Sequence, residues 1–212
     1  MYLPKQFEVS DVVPMHGLIR ERPLATVVTQ GMNGLNANPV PLHLSTDPHP
    51  YGTLRGHVAR ANPLLRDLEE GRPVLAVFHG PEHYITPSWY PTKREHGKVV
   101  PTWNYAVVQA HGTMRALDDP DWLREQLEHF TRQHESALPH PWSIHDAPPA
   151  YIDQMIRAVV GIEMVVERLV GKWKISQNQP PQNRDSVARH LRESGVGDAV
   201  WMADQMEKPH ER

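Results

Sequence analysis

No cysteine occurs among the 212 residues. A disulfide framework, a thiolate metal centre and a cysteine nucleophile are therefore excluded together. No apolar run approaches the roughly 18 residues that a membrane-spanning helix needs. Residues 1–10, with Pro4, Lys5 and Glu8, lack the apolar stretch of a signal peptide. A soluble, cytoplasmic protein with no membrane partner is the simplest reading. An excess of positive charge is missing too: 22 Lys and Arg against 25 Asp and Glu leave a formal net charge of −3. No global basic field recruits nucleic acid, so DNA stays open as a partner only through a local patch.

Several catalytic signatures are also absent. No Gly-x-Gly-x-x-Gly follows a strand and no Walker loop occurs, which removes the common dinucleotide and triphosphate sites. Ser88 stands in Pro-Ser-Trp, outside any Gly-x-Ser-x-Gly elbow, and no local pattern supplies it with a base. The chain holds 14 histidines, which invites a metal or heme hypothesis. Yet His79 and His83, like His134 and His140, bracket turns without the spacing of a zinc motif, so no metal site is assigned.

Hydrophobic residues make up 39% of the chain and charged residues 22%, enough apolar material for a core. The 21 prolines are dispersed as punctuation. Asp11 can cap a helix reaching about Arg22, and Leu24–Thr29 reads as a strand. Two glycines and Asn33 in Gln30–Gly34 signal a hairpin turn into a second strand, Leu35–Leu44. There Pro39 and Pro41 push the strand to an edge or a bulge. Tyr51–Val58 is a third strand. Pro73–Phe78 is a fourth, followed by a turn at His79–Pro81, and Lys93–Lys98 reads as a mobile charged loop.

A strand ending near Leu117 follows, and Asp118 or Asp119 then caps a helix that buries Trp122, Leu123, Leu127 and Phe130. After a short helix over Tyr151–Ala158, Val159–Ile175 reads as a long strand whose Gly161 or Gly171 marks a bulge. Helices over Arg184–Glu193 and Asp198–Glu207 close the chain. They form either a helix-turn-helix or a solvated hairpin; Glu193, Asp198, Asp204 and Glu207 offset Arg184, Arg189 and Arg192 and favour the hairpin. Strands joined by tight turns, with helices inserted singly, suit a mainly β protein with α (α+β), an antiparallel barrel with helices outside.

Two stretches carry candidate chemistry. In Leu54–Pro63 a strand with Gly56 delivers His57 and Arg60 to a helix start, where Asn62 is the N-cap and Pro63 the first helical residue. A phosphate there would meet free backbone N–H groups and a guanidinium; a merely capped helix beside surface residues is the alternative. Ser88-Trp89-Tyr90 and Thr102-Trp103-Asn104-Tyr105 set flat aromatics beside amides. Such a set suits a planar heterocycle, and buried core tryptophans are the competing reading.

The ordered series Gly56-His57-Val58-Ala59-Arg60-Ala61-Asn62-Pro63, His79-Gly80-Pro81, Tyr84-Ile85-x-Pro87-Ser88-Trp89-Tyr90, Val100-Pro101-Thr102-Trp103-Asn104-Tyr105 and Lys172-Trp173-Lys174-x-Ser176-Gln177-Asn178 resembles the PaiB family of FMN-binding negative transcriptional regulators. The chain departs from it at Ala37-Asn38-Pro39-Val40-Pro41, where the family carries Ala-Thr-His-Leu-Pro. The resemblance implies a split β-barrel of the pyridoxamine-phosphate-oxidase type over residues 1–178, with a helical extension over 179–212 packed on it. It also implies a homodimer with FMN at the interface.

It assigns His57, Arg60 and Asn62 to the phosphate side, with Lys172 and Lys174 adding charge, and Thr102, Trp103, Asn104, Ser176, Gln177 and Asn178 to the isoalloxazine. Ser88 is placed near the ring. No catalytic residue is assigned. Two further activities are compatible with such a barrel, a flavin-dependent oxidoreductase and a heme-binding or heme-degrading protein.

Overall fold

The structure, a computed structural model, describes residues 1–32 and 34–208. Asn33, in the expected hairpin turn, and the last four residues lie outside the described residues. Eight strands among the described residues join in one sheet: β1 (Glu8–Val9), β2 (Leu24–Gly31), β3 (Gly34–Pro41), β4 (His43–Ser45), β5 (Thr53–Ala59), β6 (Pro73–Ile85), β7 (Thr102–Leu117) and β8 (Val159–Lys174). Their order is β3-β2-β6-β7-β8-β5-β4, with β1 paired to β8. The helices are α1 (Val12–Glu21), α2 (Leu64–Leu68), α3 (Thr92–His96), α4 (Pro120–Glu135), α5 (Pro149–Arg157), α6 (Pro181–Glu193) and α7 (Gly197–Glu207).

The chain forms two compact units. The first comprises Met1–Met15, His79–Val108 and Val170–Arg212; the second comprises His16–Phe78 and Gln109–Leu169. Strands β6, β7 and β8 contribute to both.

In the second unit β2 alternates in burial, turning Ala25, Val27 and Thr29 inward, and pairs antiparallel with β3 from Leu24–Pro41 to Gly31–Gly34. Strand β3 lies at the sheet edge, where Pro39 and Pro41 remove no ladder donor from an outer neighbour. Toward the opposite edge of the order β5 runs antiparallel to β8 from Thr53–Val165 to Ala59–Val159. Gly56 is required by packing, because a Cβ there would meet Pro41 O at 2.6 Å. Asp119 is the cap that the sequence offers α4, its Oδ1 accepting from the backbone N–H of Asp121 and Trp122. Leu123 of α4, Ile144 of the 3-10 turn Ile144–Asp146, and Ile152 and Ile156 of α5 then gather into one buried cluster.

The pairing of β5 with β8 steps without interruption through Gly161, and β1 pairs directly with Gly171, so neither glycine marks a bulge in these ladders. Both make room for side chains instead. A Cβ at Gly161 would enter the Trp122 ring, and one at Gly171 would lie 2.8 Å from Met15 Sδ.

The expected turn at His79–Pro81 is also absent, since β6 continues to Ile85. Its pairing with β2 ends at Phe78, so Pro81 takes no donor from that ladder.

In the first unit the charged stretch expected as a loop is α3. Pro91 enters it with helical φ and ψ, and Gly97, at φ 68°, closes it in the left-handed conformation. The helix lacks an apolar stripe because Thr92 is its one buried residue, held by Asn183 of α6. Helices α6 and α7 form a hairpin in which Arg192 pairs with Asp204 and Glu207, and Arg184 donates to Met206 O. Of the three arginines that a DNA-reading motif would present, Arg184 and Arg192 are engaged within the hairpin, and Arg189 is exposed.

Candidate cofactor site

In the first unit Lys172 and Lys174 stand two residues apart on β8, so the pleat directs both to one face. Lys172 is only 8% exposed; its ammonium donates to Tyr2 O at 3.1 Å and lies 5.2 Å from the Tyr105 ring centroid and 5.8 Å from that of Tyr2. The Lys174 ammonium donates to Thr102 Oγ1 and, at 2.7 Å, to Trp103 O, and it lies 6.0 Å from the Tyr105 ring. Burial holds Lys174 below the usual lysine range; Tyr105 pulls the other way, and the charge on Lys172 deepens the depression. Among the described residues neither ammonium has a carboxylate partner.

Beside this pair, Asn104 is buried and its Nδ2 donates to Ser176 Oγ at 2.9 Å. Ser176 has φ 64°, a left-handed conformation that a non-glycine residue keeps only when its surroundings hold it. Gln177 does much of that holding. Its amide donates to Trp173 O and accepts from the backbone N–H of Ile175, clamping the chain as it leaves β8. Asn178 is exposed. Trp103 is 52% exposed, with the Tyr84 ring edge-on at 5.8 Å. Ser88 is exposed, its Oγ accepting from Lys93 Nζ at 3.3 Å, and neighbouring Trp89 stacks on His190.

His57, Arg60 and Asn62 belong to the second unit. Asn62 acts as the cap, its Oδ1 accepting from Leu64 N–H at 2.9 Å, and Gly71 closes the turn after α2 at φ 61°. Arg60 forms a bidentate pair with Asp118 at 2.7 Å and donates further to Arg157 O and Val159 O. That pairing raises the guanidinium above its ordinary range and holds Asp118 below the usual carboxylate range. His57 Nδ1 lies 3.0 Å from Gln126 Oε1. The junction therefore spends its donors within the protein, whereas the two lysines hold theirs without a counter-charge.

Two residues not assigned to a cofactor contact from the sequence adjoin the lysine pair: Tyr105, which the sequence gives only as part of the aromatic motif, and Tyr2. The Tyr105 ring lies within 6.0 Å of both ammonium groups, two positions after Trp103 on the same face of β7. That spacing was its available signal. Tyr2, 170 residues from Lys172, offers none. Among the described residues no group of three or more His, Cys, Asp or Glu is placed to hold a metal ion.

The donor set fits a phosphorylated, planar ligand: two uncompensated ammonium groups, an exposed indole and a rigid amide-bearing loop. Sheet order and antiparallel pairing make the chain a mainly β protein, an antiparallel split β-barrel with peripheral helices, the architecture shared by flavin-binding neighbours. Among solved structures, the flavocytochrome Anf3 from Azotobacter vinelandii superposes with a TM-score of 0.61 at 15% identity, over 79% of this chain and 69% of its own.

Residues 1–168 match the family model described as "Putative FMN-binding domain". The protease synthase and sporulation protein PAI 2 of Bacillus subtilis (strain 168) is 33% identical over 208 residues, spanning 98% of this chain and 97% of its own. An uncharacterized protein of Emericella nidulans is 34% identical over 222 residues, 88% of each chain. The chain belongs to the FMN-binding PaiB family, and FMN is its cofactor.

Proposed function

We propose that this chain is a homodimeric negative transcriptional regulator of PaiB type, acting in the cytoplasm, with FMN at the interface between two copies and the phosphate on Lys172 and Lys174. The uncompensated ammonium pair is the observation that carries the cofactor seat. A buried cation without a counter-ion is costly, and a phosphate bearing up to two negative charges relieves two at once. The alternative seat at His57, Arg60 and Asn62 would require Arg60 to exchange Asp118 for the phosphate, a near-neutral trade.

Around the ring, Trp103 offers an exposed flat face, and Asn178 an amide with both donor and acceptor. Thr102 steers Lys174, and Asn104, Ser176 and Gln177 set the loop backbone. Ser88 holds Lys93 at the margin of this unit. FMN itself supplies one- or two-electron redox chemistry when bound; the protein residues bind, orient and exclude water. The exposed Tyr84–Trp103 pair supports a second copy as the group that covers this face.

Kinship with the sporulation protein supports the regulatory half. The net charge of −3 and the neutralised Arg192 leave any DNA contact to a local patch. The test is an absorption spectrum of the purified protein followed by DNA binding at stepped salt, with the flavin oxidised and reduced. A yellow protein whose salt-dependent DNA binding changes with flavin redox state supports the proposal. NADPH turnover by the yellow protein without DNA binding would replace it with a flavin-dependent oxidoreductase. A colourless protein that ignores FMN but gives a Soret band with heme would overturn the cofactor seat.

A further inference from the structure

A second polar cavity, of about 90 Å³, lies in the second unit beneath α4, apart from the lysine pair. Its floor is the β4–β5 pair, which sets His43 directly opposite Arg55 and brings Ser45 alongside. Its roof is one face of α4, where Trp122, Glu125 and His129 recur at helical spacing. The wall is rigid, since the Trp122 ring fills the space that Gly161 leaves by having no side chain.

The hydrogen-bonding capacity of Arg55 at the cavity is only partly used. Glu163 is almost fully buried and accepts from Arg55 Nε at 2.8 Å, yet Arg115 engages the same carboxylate through its other oxygen. One negative charge thus serves two guanidinium groups. Among the described residues both Nη nitrogens of Arg55 lack an acceptor, and its side chain is 37% exposed at the cavity.

His43 faces the same space with its tautomer set. Its Nδ1 lies 2.8 Å from Gln133 Oε1, and the Gln133 amide is oriented by donating to Arg20 O. An amide oxygen can only accept, so Nδ1 carries a proton, and in the neutral ring Nε2 presents a lone pair. The His129 ring stands 6.1 Å from that of His43, and Glu125 lies 3.8 Å from His129 at the rim.

We propose that this cavity binds a small carboxylate bearing a neighbouring hydroxyl or amino group. The planar Arg55 fork takes the carboxylate in bidentate fashion. The adjacent donor of the ligand serves His43 Nε2 or Glu125, and its short carbon skeleton lies on Trp122. Size limits the class: the space holds about three waters at roughly 30 Å³ each, enough for a two- or three-carbon acid and too little for a nucleotide.

The experiment is isothermal titration calorimetry of the purified full chain with glycolate and with glycine, using acetate as the probe that keeps the carboxylate but lacks the donor. Saturable binding of glycolate or glycine, at least tenfold tighter than acetate, is expected. Arg55→Gln should weaken it at least tenfold. Because Arg55 also serves Glu163, Ser45→Leu provides a second variant that fills the cavity and leaves that pair intact. Ser45→Leu protein that melts like wild type yet binds the probe unchanged would overturn the proposal. Absence of saturable heat from both probes on wild-type protein would overturn it as well.

Discussion

Replacing Lys174 by Met keeps most of the apolar stem and removes the ammonium that donates to Thr102 Oγ1 and Trp103 O. If the FMN phosphate sits on Lys172 and Lys174, the substitution removes one cation from the seat. A unit charge pair about 4 Å apart interacts by about 4 kcal/mol at an effective dielectric near 20. Water solvates the free phosphate and Lys174 already donates to Thr102 and Trp103, so the net value is that of a charge-assisted hydrogen bond, about 1.5–3 kcal/mol. The dissociation constant should therefore rise about 10- to 150-fold. Quenching of FMN fluorescence on titration reads this directly, and Lys174→Arg should recover part of the loss.

The pH profile adds a second signature. Lys174 titrates below the usual lysine range because it is desolvated, and the bound phosphate favours its charged form. Affinity should fall as pH rises through that lowered range in wild-type protein and stay flat there in Lys174→Met. Arg60→Ala should change affinity by less than threefold, because its donors already serve Asp118 and two backbone carbonyls. The reverse result, a tenfold loss with Arg60→Ala and none with Lys174→Met, would refute the lysine seat and move the phosphate to the strand–helix junction.

Three further outcomes concern stability. Glu163→Gln removes the charge shared by Arg55 and Arg115; both guanidinium groups retain access to water, so the expected cost is about 1–3 kcal/mol, read by urea denaturation, and a neutral substitution would mean that the buried carboxylate contributes nothing. His16 is buried and donates to Tyr51 O, and burial holds its pKa below the ordinary histidine value of 6.5. Above that value both states are neutral and the contribution is complete; as pH falls from 6.5 towards the lowered folded value, the unfolded chain takes the proton first and stability drops. His16→Gln should flatten the melting temperature over that window, and an unchanged slope would refute the assignment. Tyr90 is buried and its hydroxyl has no partner among the described residues, so Tyr90→Phe should be neutral or raise the melting temperature by a few degrees; a clear loss of stability would reveal a hydrogen bond at that hydroxyl.

What the sequence makes legible follows the range of the interaction. Asn62 and Asp119 reveal themselves as caps because the groups they bond lie two or three residues away. The β2–β3 hairpin and the edge position of β3 are similarly local, set by glycines and prolines in one short stretch. Helix α3 escapes because its ends are defined by Pro91 and Gly97 and its single buried contact, with Asn183, is 91 residues distant. Gly161 invites a bulge because nothing near it announces the Trp122 ring. At the candidate site, Lys172 and Lys174 emerge from a resemblance, but their lack of a counter-ion is a property of the whole molecule. Arg60 shows the converse. Its motif position suggests an anion site, and its acceptor, Asp118, lies 58 residues further along the chain.

These contrasts lead to a distinction between cations that are closed and cations that are left open. Arg60 and Arg192 are half-exposed and already paired with carboxylates, an arrangement that stabilises little and binds nothing further. Lys172 and Lys174 are more withdrawn from water, stand near one another and lack a carboxylate, which costs the folded state. A site of that kind persists in a protein when a ligand offsets the cost. Lys174→Met should therefore do two opposite things: weaken FMN binding and raise the melting temperature of the FMN-free protein, since the methionine carries no charge to desolvate. A fall in the FMN-free melting temperature would mean that the bonds to Thr102 and Trp103 outweigh the desolvation, and that Lys174 is retained for the fold. A rise, with weaker binding, identifies the lysine as a residue kept for the cofactor at the expense of stability.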